Sequence, residues 1–351
     1  MLGSGAISTR PTVCVIGAGV VGLTCAYVLA KDYDVRLVAK DIGDKSSSIV
    51  ATAIWHVYLV DNTDLRTLSW AKNTLEKLLE IEKVSPEAGV CRVEGVELFR
   101  KSDAHLPTWH DIPPMFKMLS DEEISDFQKL DDPANGRLPI KWGYRIEAPT
   151  ADMSIYLPWL LKEAENLSIS IIQESVDDIT SCFRHADIVV NCTGFGSHTL
   201  YPEAGIIPVR GQYVVFDCSS DGPTRYFGDD DHPTETSYFI PRLGEVILGG
   251  TEEFGVGKIE FDRSVSEFIK RVAPFEPWVR SLEGSEPKRL VVGVRPYRAE
   301  GVLLTADLQG DNRLLIHNVG HGGSGFSLSW GCAAEVKGMI DNFVSGQLAG
   351  G

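Results

Sequence analysis

The sequence has no apolar run approaching the ~20 residues that a membrane-spanning helix needs. It has no CxxC pair, and its seven cysteines (Cys14, Cys25, Cys91, Cys182, Cys192, Cys218 and Cys332) are odd in number. A disulfide framework or a zinc ribbon is therefore not expected; buried free thiols are. Positive charge is scarce: 33 Lys and Arg face 49 Asp and Glu, a formal charge of −16 over 351 residues. That excludes a nucleic-acid surface as the default, because polyphosphate needs positive faces. Residues 1–11 lack the apolar stretch of a signal peptide. Residues 347–351 carry no peroxisomal or ER-retention tripeptide. The cytoplasm is the expected compartment, with the peroxisome the alternative if a C-terminal signal is missing. There is no internal repeat and no low-complexity segment. What remains is an ordinary globular composition, 43 % hydrophobic and 23 % charged. Its length suits about two domains at ~150 residues each.

The first segment to carry chemistry opens the chain. Thr12 to Ile16 is apolar and β-branched, and reads as a buried parallel strand. Gly17-Ala18-Gly19-Val20-Val21-Gly22 follows at once, then a helix over Leu23–Lys31 and a strand over Asp34–Ala39. That is the context in which GxGxxG signifies a dinucleotide site. Gly17 permits the tight turn, Gly19 the approach of a pyrophosphate, and Gly22 close helix–strand packing. The helix N-terminus offers free N–H groups to the phosphates. The motif does not separate NAD, NADP and FAD. The acidic ribose partner is displaced: Lys40 takes its usual place and Asp41 follows.

Helices are expected over Leu65–Val84, from Asp121, over Ala151–Asn166 and over Phe326–Val344. Arg92–Arg100, Leu167–Gln173 and Asp187–Cys192 read as strands. So do Ile206–Asp217, Thr236–Pro241 and Glu245–Leu248, as antiparallel neighbours, and Arg289–Pro296 with Arg313–Val319. Rossmann-like strands thus occur at both ends of the chain and near its middle. An α/β fold follows, in which a dinucleotide domain assembled from separate pieces is interleaved with an antiparallel-sheet domain.

Two further glycine signals narrow the cofactor. One is the strand ending Val190-Asn191-Cys192-Thr193-Gly194. The other is Leu315 to Phe326, a strand followed by a loop with Gly320, Gly322, Gly323 and Gly325. Backbone lying against a flat ligand explains such a loop, and a helix N-terminus there would stabilise negative charge on a reduced flavin. His317 and His321 are four apart but straddle glycines, and no third ligand is evident, so no metal is expected.

With these segments in hand, the chain resembles the D-amino acid oxidase family, which also holds the D-aspartate oxidases. The resemblance rests on Val15 to Leu23, on Val190 to Gly194, and on Tyr238-Phe239-Ile240-Pro241 with Gly249-Gly250-Thr251. It also rests on Gly293-Val294-Arg295-Pro296 and on His317 to Gly325. It implies a Rossmann-like FAD-binding domain (1–60, 145–205 and 290–351) interleaved with a substrate-binding domain (61–144 and 206–289). It implies FAD bound non-covalently. The implied contacts are Gly17, Ala18, Gly19, Val20, Val21 and Gly22 at the pyrophosphate, with Lys40 and Asp41 beyond. Ser46, Ser47, Ser48, Thr52, Ala53 and Ile54 line the flavin and its phosphates. Val176 and Thr193 lie on the adenosine side, and Gly322, Gly323, Ser324, Gly325, Phe326 and Ser327 by the ring.

For the substrate, the resemblance makes Arg295 the carboxylate fork, with Arg298 the fallback, and gives Tyr238 a hydrogen bond to the same carboxylate. Gly323 and Ser324 would border the pocket, and Tyr58 or His56, in a stretch that departs from the family pattern, would shape its side-chain end. No acid–base residue is required. The Cα hydrogen would pass as hydride to flavin N5, oxygen would become hydrogen peroxide, and the imino acid would hydrolyse to keto acid and ammonia. The partners are then a small D-amino acid and oxygen; the family also admits a homodimer.

Departures from the family pattern are local. Thr234, in the acidic loop 229–232 and beyond, stands where relatives have a second tyrosine. Ala53 stands where they have glycine. Glu252-Glu253 would repel a second carboxylate, and Arg242 is the nearest basic residue. Neutral D-amino acids are therefore expected before D-aspartate. The alternatives are an amine oxidase on glycine or sarcosine, a specialised biosynthetic oxidase, or a nucleotide-binding protein without turnover.

Overall fold

The structure is a computed structural model that describes residues 10–101, 106–131, 138–229, 236–310 and 312–346. The expected lid position Thr234, with residues 230–232, and the chain ends 1–9 and 347–351 lie outside it. The strands are β1 (Thr12–Ile16), β2 (Asp34–Ala39), β3 (Val90–Phe99), β4 (Met115–Met118) and β5 (Trp142–Ala151). They continue as β6 (Ser170–Gln173), β7 (Ile188–Asn191), β8 (Ile207–Asp217), β9 (Tyr226–Asp229) and β10 (Ser237–Arg242). The last are β11 (Glu245–Gly249), β12 (Glu253–Phe254), β13 (Arg289–Tyr297), β14 (Leu303–Gln309) and β15 (Arg313–Val319).

The first sheet has the order β14-β15-β7-β1-β2-β6 and is parallel except at β14–β15. β1 and β7 are apolar and β-branched on both faces because helices or loops cover both sides. The helix Val20–Leu29 joins β1 to β2. It is buried nearly all round, between this sheet and the helices Met153–Asn166 and Gly325–Val344. The chain leaves β1 toward β2 on one side and occupies β7 and β15 on the other. Open α/β sheets bind ligands at such a reversal, beyond the carboxyl ends of the strands.

The second sheet runs β12-β8-β11-β10-β9-β3-β5-β4, with β13 also on β8; every neighbouring pair is antiparallel except β3–β9. Its residues alternate between two environments. Val214, Phe216, Phe227, Phe239 and Leu248 pack under the helix Val265–Val272. Tyr213, Tyr226, Gly228, Tyr238 and Ile240 point the other way, into a cavity shared with the first sheet.

The helix Val20–Leu29 begins three residues before the expected Leu23, so Gly22 lies inside it. Ala151 ends β5, a strand the sequence reading missed; the helix starts at Met153, with Asp152 capping it by accepting from the Ser154 N–H. β14 was also missed. β13 pairs with β8 along its whole length and so belongs to the second sheet.

Candidate active site

The shared cavity has a volume of about 770 Å³. The carboxyl ends of the first sheet supply one end of it. Gly17 to Val21 follow β1, Lys40 and Asp41 follow β2, Val176 follows β6, and Thr193 follows β7. Ser46, Ser47, Ser48, Thr52, Ala53 and Ile54 line its side, with Gly322, Gly323, Gly325 and Phe326 after β15. Tyr58, Tyr238 and Arg295 line the far end. Nearly every residue singled out in the sequence thus meets in one space.

Three of them do not line it, for physical reasons. Gly22 packs the helix onto β1: a Cβ there would lie 1.9 Å from the Gly17 carbonyl oxygen. Ser324 and Ser327 are buried beneath residues 54–58. The Ser324 hydroxyl accepts from the Tyr58 N–H at 2.6 Å and donates to the Tyr58 carbonyl at 2.8 Å, while Ser327 accepts from the His56 N–H at 3.0 Å. Their hydroxyls satisfy backbone and hold that segment in place.

The cavity's lining suits a long polar ligand. Gly17 has φ +106°, and a Cβ there would lie 2.4 Å from the Cys192 carbonyl oxygen, so only glycine fits the turn. Ser48 accepts from the Val20 N–H at 3.0 Å, tying the flanking segment to the helix N-terminus. The Val21 N–H has no acceptor within the helix. Ser46 Oγ, Thr236 Oγ1, Asn318 Oδ1 and His321 Nε2 are buried along the lining without a hydrogen-bond partner. Buried polar atoms are rarely left so. A nucleotide at the first-sheet end with a polar ring system beyond it would satisfy them, so the residues fit FAD. Burial pushes the His56 and His321 imidazoles down to about 4, so both are neutral at pH 7. His317 takes no part: it stacks on Tyr201 and contacts Asn191.

At the far end, glycines make room for the functional side chains. Arg295 leans over Gly211, where a Cβ would lie 2.5 Å from its guanidinium; Gly249 and Gly250 make the same space for the Tyr238 ring. Arg295 donates to the Thr251 carbonyl at 3.2 Å and lies 5.7 Å from the Tyr58 ring centre. The Tyr58 hydroxyl donates to Glu252. Glu253 is instead held by Arg210 and Arg263. The other candidate arginines are committed elsewhere. Arg298 donates to the Ala204 and Gly301 carbonyls, and Arg242 to those of Ala51 and Thr52, pinning the segment before the flavin-side residues. The sequence reading missed Glu97, Tyr213, Tyr226, Gly211 and Gly228. The alternation of β3, β8 and β9 could have grouped them on one face, though not said which face was the cavity's.

Ala53 has φ +48°, in the left-handed region that costs a non-glycine residue roughly 1 kcal/mol. Ala53→Gly is expected to raise the thermal midpoint by up to about 1 °C, because the ~1 kcal/mol of relieved strain is largely offset by the added freedom of the unfolded chain. A lower midpoint, read by scanning calorimetry, would reject the strain.

Residues 12–338 match the model of the family described as FAD dependent oxidoreductase. The chain is 34 % identical to a D-amino-acid oxidase of Rubrobacter xylanophilus over 93 % of this chain and 94 % of that one. It is 29 % identical to a human D-aspartate oxidase over 95 % of each. Its fold matches the crystal structure of glycine oxidase from Geobacillus kaustophilus with a TM-score of 0.75, at 18 % identity and over 95 % of each chain. The chain therefore belongs to this family: it is an FAD-dependent oxidoreductase.

Proposed function

We propose that the protein oxidises D-amino acids to imino acids, with oxygen reduced to hydrogen peroxide. The observation that carries this reading is Arg295, a guanidinium set into the cavity that begins at the Gly17 turn. Its planar fork matches a carboxylate by two parallel hydrogen bonds. The Thr251 carbonyl and the Gly211 gap fix its direction. Tyr238, on the same lining, supplies a hydroxyl to the carboxylate. Gly17 to Val21, Ser46 to Ser48, Thr52 to Ile54, Val176, Thr193, Gly322, Gly323, Gly325 and Phe326 would hold FAD. When bound, FAD supplies a two-electron acceptor that oxygen reoxidises. Holding the substrate's Cα still between carboxylate fork and cofactor is the protein's main task. The neutral His56 and His321 add no charge to compete with it.

The proposal divides the chain along its two sheets. β5 and β13 fall in spans 145–205 and 290–351 but lie in the second sheet, so residues 142–151 and 289–297 go with the substrate domain. No helix among the described residues is long and apolar enough to cross a membrane. The reading extends to a homodimer, as the family resemblance implies, in the cytoplasm, with the peroxisome the alternative.

A panel of D- and L-amino acids with glycine and sarcosine, read by peroxide formation, tests the activity. Peroxide from D- and not L-amino acids is expected. Turnover of sarcosine or glycine alone would overturn the substrate class.

A further inference from the structure

Among the described residues, two charged side chains line the second-sheet end of the cavity, Arg295 and Glu97. The other charged lining residues, Lys40, Asp41, Lys45 and Glu174, follow β2 and β6 of the first sheet. Glu97 is 7 % exposed. On β3 it stands opposite Gly228 of β9, which stands opposite Tyr238 of β10, so Glu97 and Tyr238 share one face and one row of the sheet. Gly228 leaves space that the carboxylate fills: a Cβ there would lie 2.0 Å from Glu97 Oε2. The Glu97 carboxylate therefore lies over β9. The Arg295 guanidinium leans toward it from the other side, over Gly211 of β8. β11 and β10 separate β8 from β9, and Gly211 lies two residues along β8 from Tyr213, where the row of Gly228 and Tyr238 ends, so the two charges stand three strand spacings and two residues apart, ~16 Å.

We infer that Glu97 receives the cationic end of the substrate's side chain, making D-amino acids with an ammonium or guanidinium tail, such as D-lysine and D-arginine, the preferred substrates. This rests on the D-amino acid reading above and narrows the neutral side chains expected from the sequence. With the α-carboxylate on Arg295, an extended side chain of that class crosses the sheet obliquely past Tyr238 and ends at the Glu97 carboxylate. A buried carboxylate is stabilised by a paired cation and disfavours hydrocarbon placed against it. The Tyr226 ring, which leans over Gly95 on the same face, borders the path and suits an ammonium. An acidic side chain would meet Glu97 with like charge. A protein of net charge −16 also draws in a substrate of net positive charge.

The test compares kcat/KM for D-lysine and D-norleucine, which has the same carbon chain without the ammonium, in the wild type, Glu97→Gln and Glu97→Asp. The wild type is expected to favour D-lysine by ~10-fold or more. Glu97→Gln should remove that preference and Glu97→Asp keep part of it. Equal or better use of D-norleucine by the wild type overturns the inference even if the variants do not fold. So does a preference that survives Glu97→Gln. No peroxide from any D-amino acid overturns the underlying reading instead.

Discussion

Arg295→Ala is expected to lower kcat/KM for D-amino acids by about 10³-fold while FAD stays bound. Truncating one partner of a desolvated charge pair costs 2–5 kcal/mol, and each ~1.4 kcal/mol is a factor of ten. KM should rise because the carboxylate loses its fork. kcat should fall too, because the carboxylate fixes where Cα sits. Arg295→Lys keeps the charge but loses the planar pair of donors, so it should recover only part of the loss. Gly211, Thr251 and Tyr58 surround the arginine tip without depending on it for the Gly17 turn at the other end of the cavity. The absorbance of bound flavin should therefore persist. Steady-state kinetics with unchanged constants would place the carboxylate elsewhere.

The second large effect lies at the opposite end. Gly17→Ala and Gly22→Ala are each expected to give colourless protein, with FAD affinity down by ~10²-fold or more. An added Cβ would lie 2.4 Å from the Cys192 carbonyl oxygen in the first and 1.9 Å from the Gly17 carbonyl oxygen in the second. The first is backbone just after β7 and the second backbone of the turn itself, and relieving either contact moves the helix N-terminus away from its place over β1. Gly338→Ala is the control, because nothing lies within 4 Å of that Cβ in the helix Gly325–Val344. It should leave flavin content intact and gain up to ~1 kcal/mol of stability from helix propensity. Titration of each variant with FAD measures the outcome; wild-type affinity in both glycine variants would remove the turn from the cofactor site.

What could be read from the sequence was what is locally encoded. The β1–helix–β2 unit carries its own signals in Thr12–Ile16 and the three glycines, and the strand β15 with its glycine loop does the same. Pairings between distant segments were not visible. β5 was hidden because its last residue, Ala151, adjoins a helix, and β13 looked like any late apolar strand until its partner β8 was known. Glu97 was hidden for a related reason. It lies between buried Val96 and Leu98 in a strand covered on both faces, so alternation alone assigns it no environment. Ser324 and Ser327 were misplaced because a motif gives proximity along the chain and not the direction in which a hydroxyl turns. Their partners, the backbone groups of residues 54–58, are some 270 positions away.

The cavity between the two sheets also has a thermodynamic side. Orphaned polar atoms line it. A ligand that binds only the folded chain adds RT ln(1 + [L]/Kd) to its stability, about 2.7 kcal/mol at a hundred times Kd. FAD supply would then govern how much of this protein survives in a cell, before any question of how fast it turns over. Riboflavin shortage would lower its abundance as well as its activity.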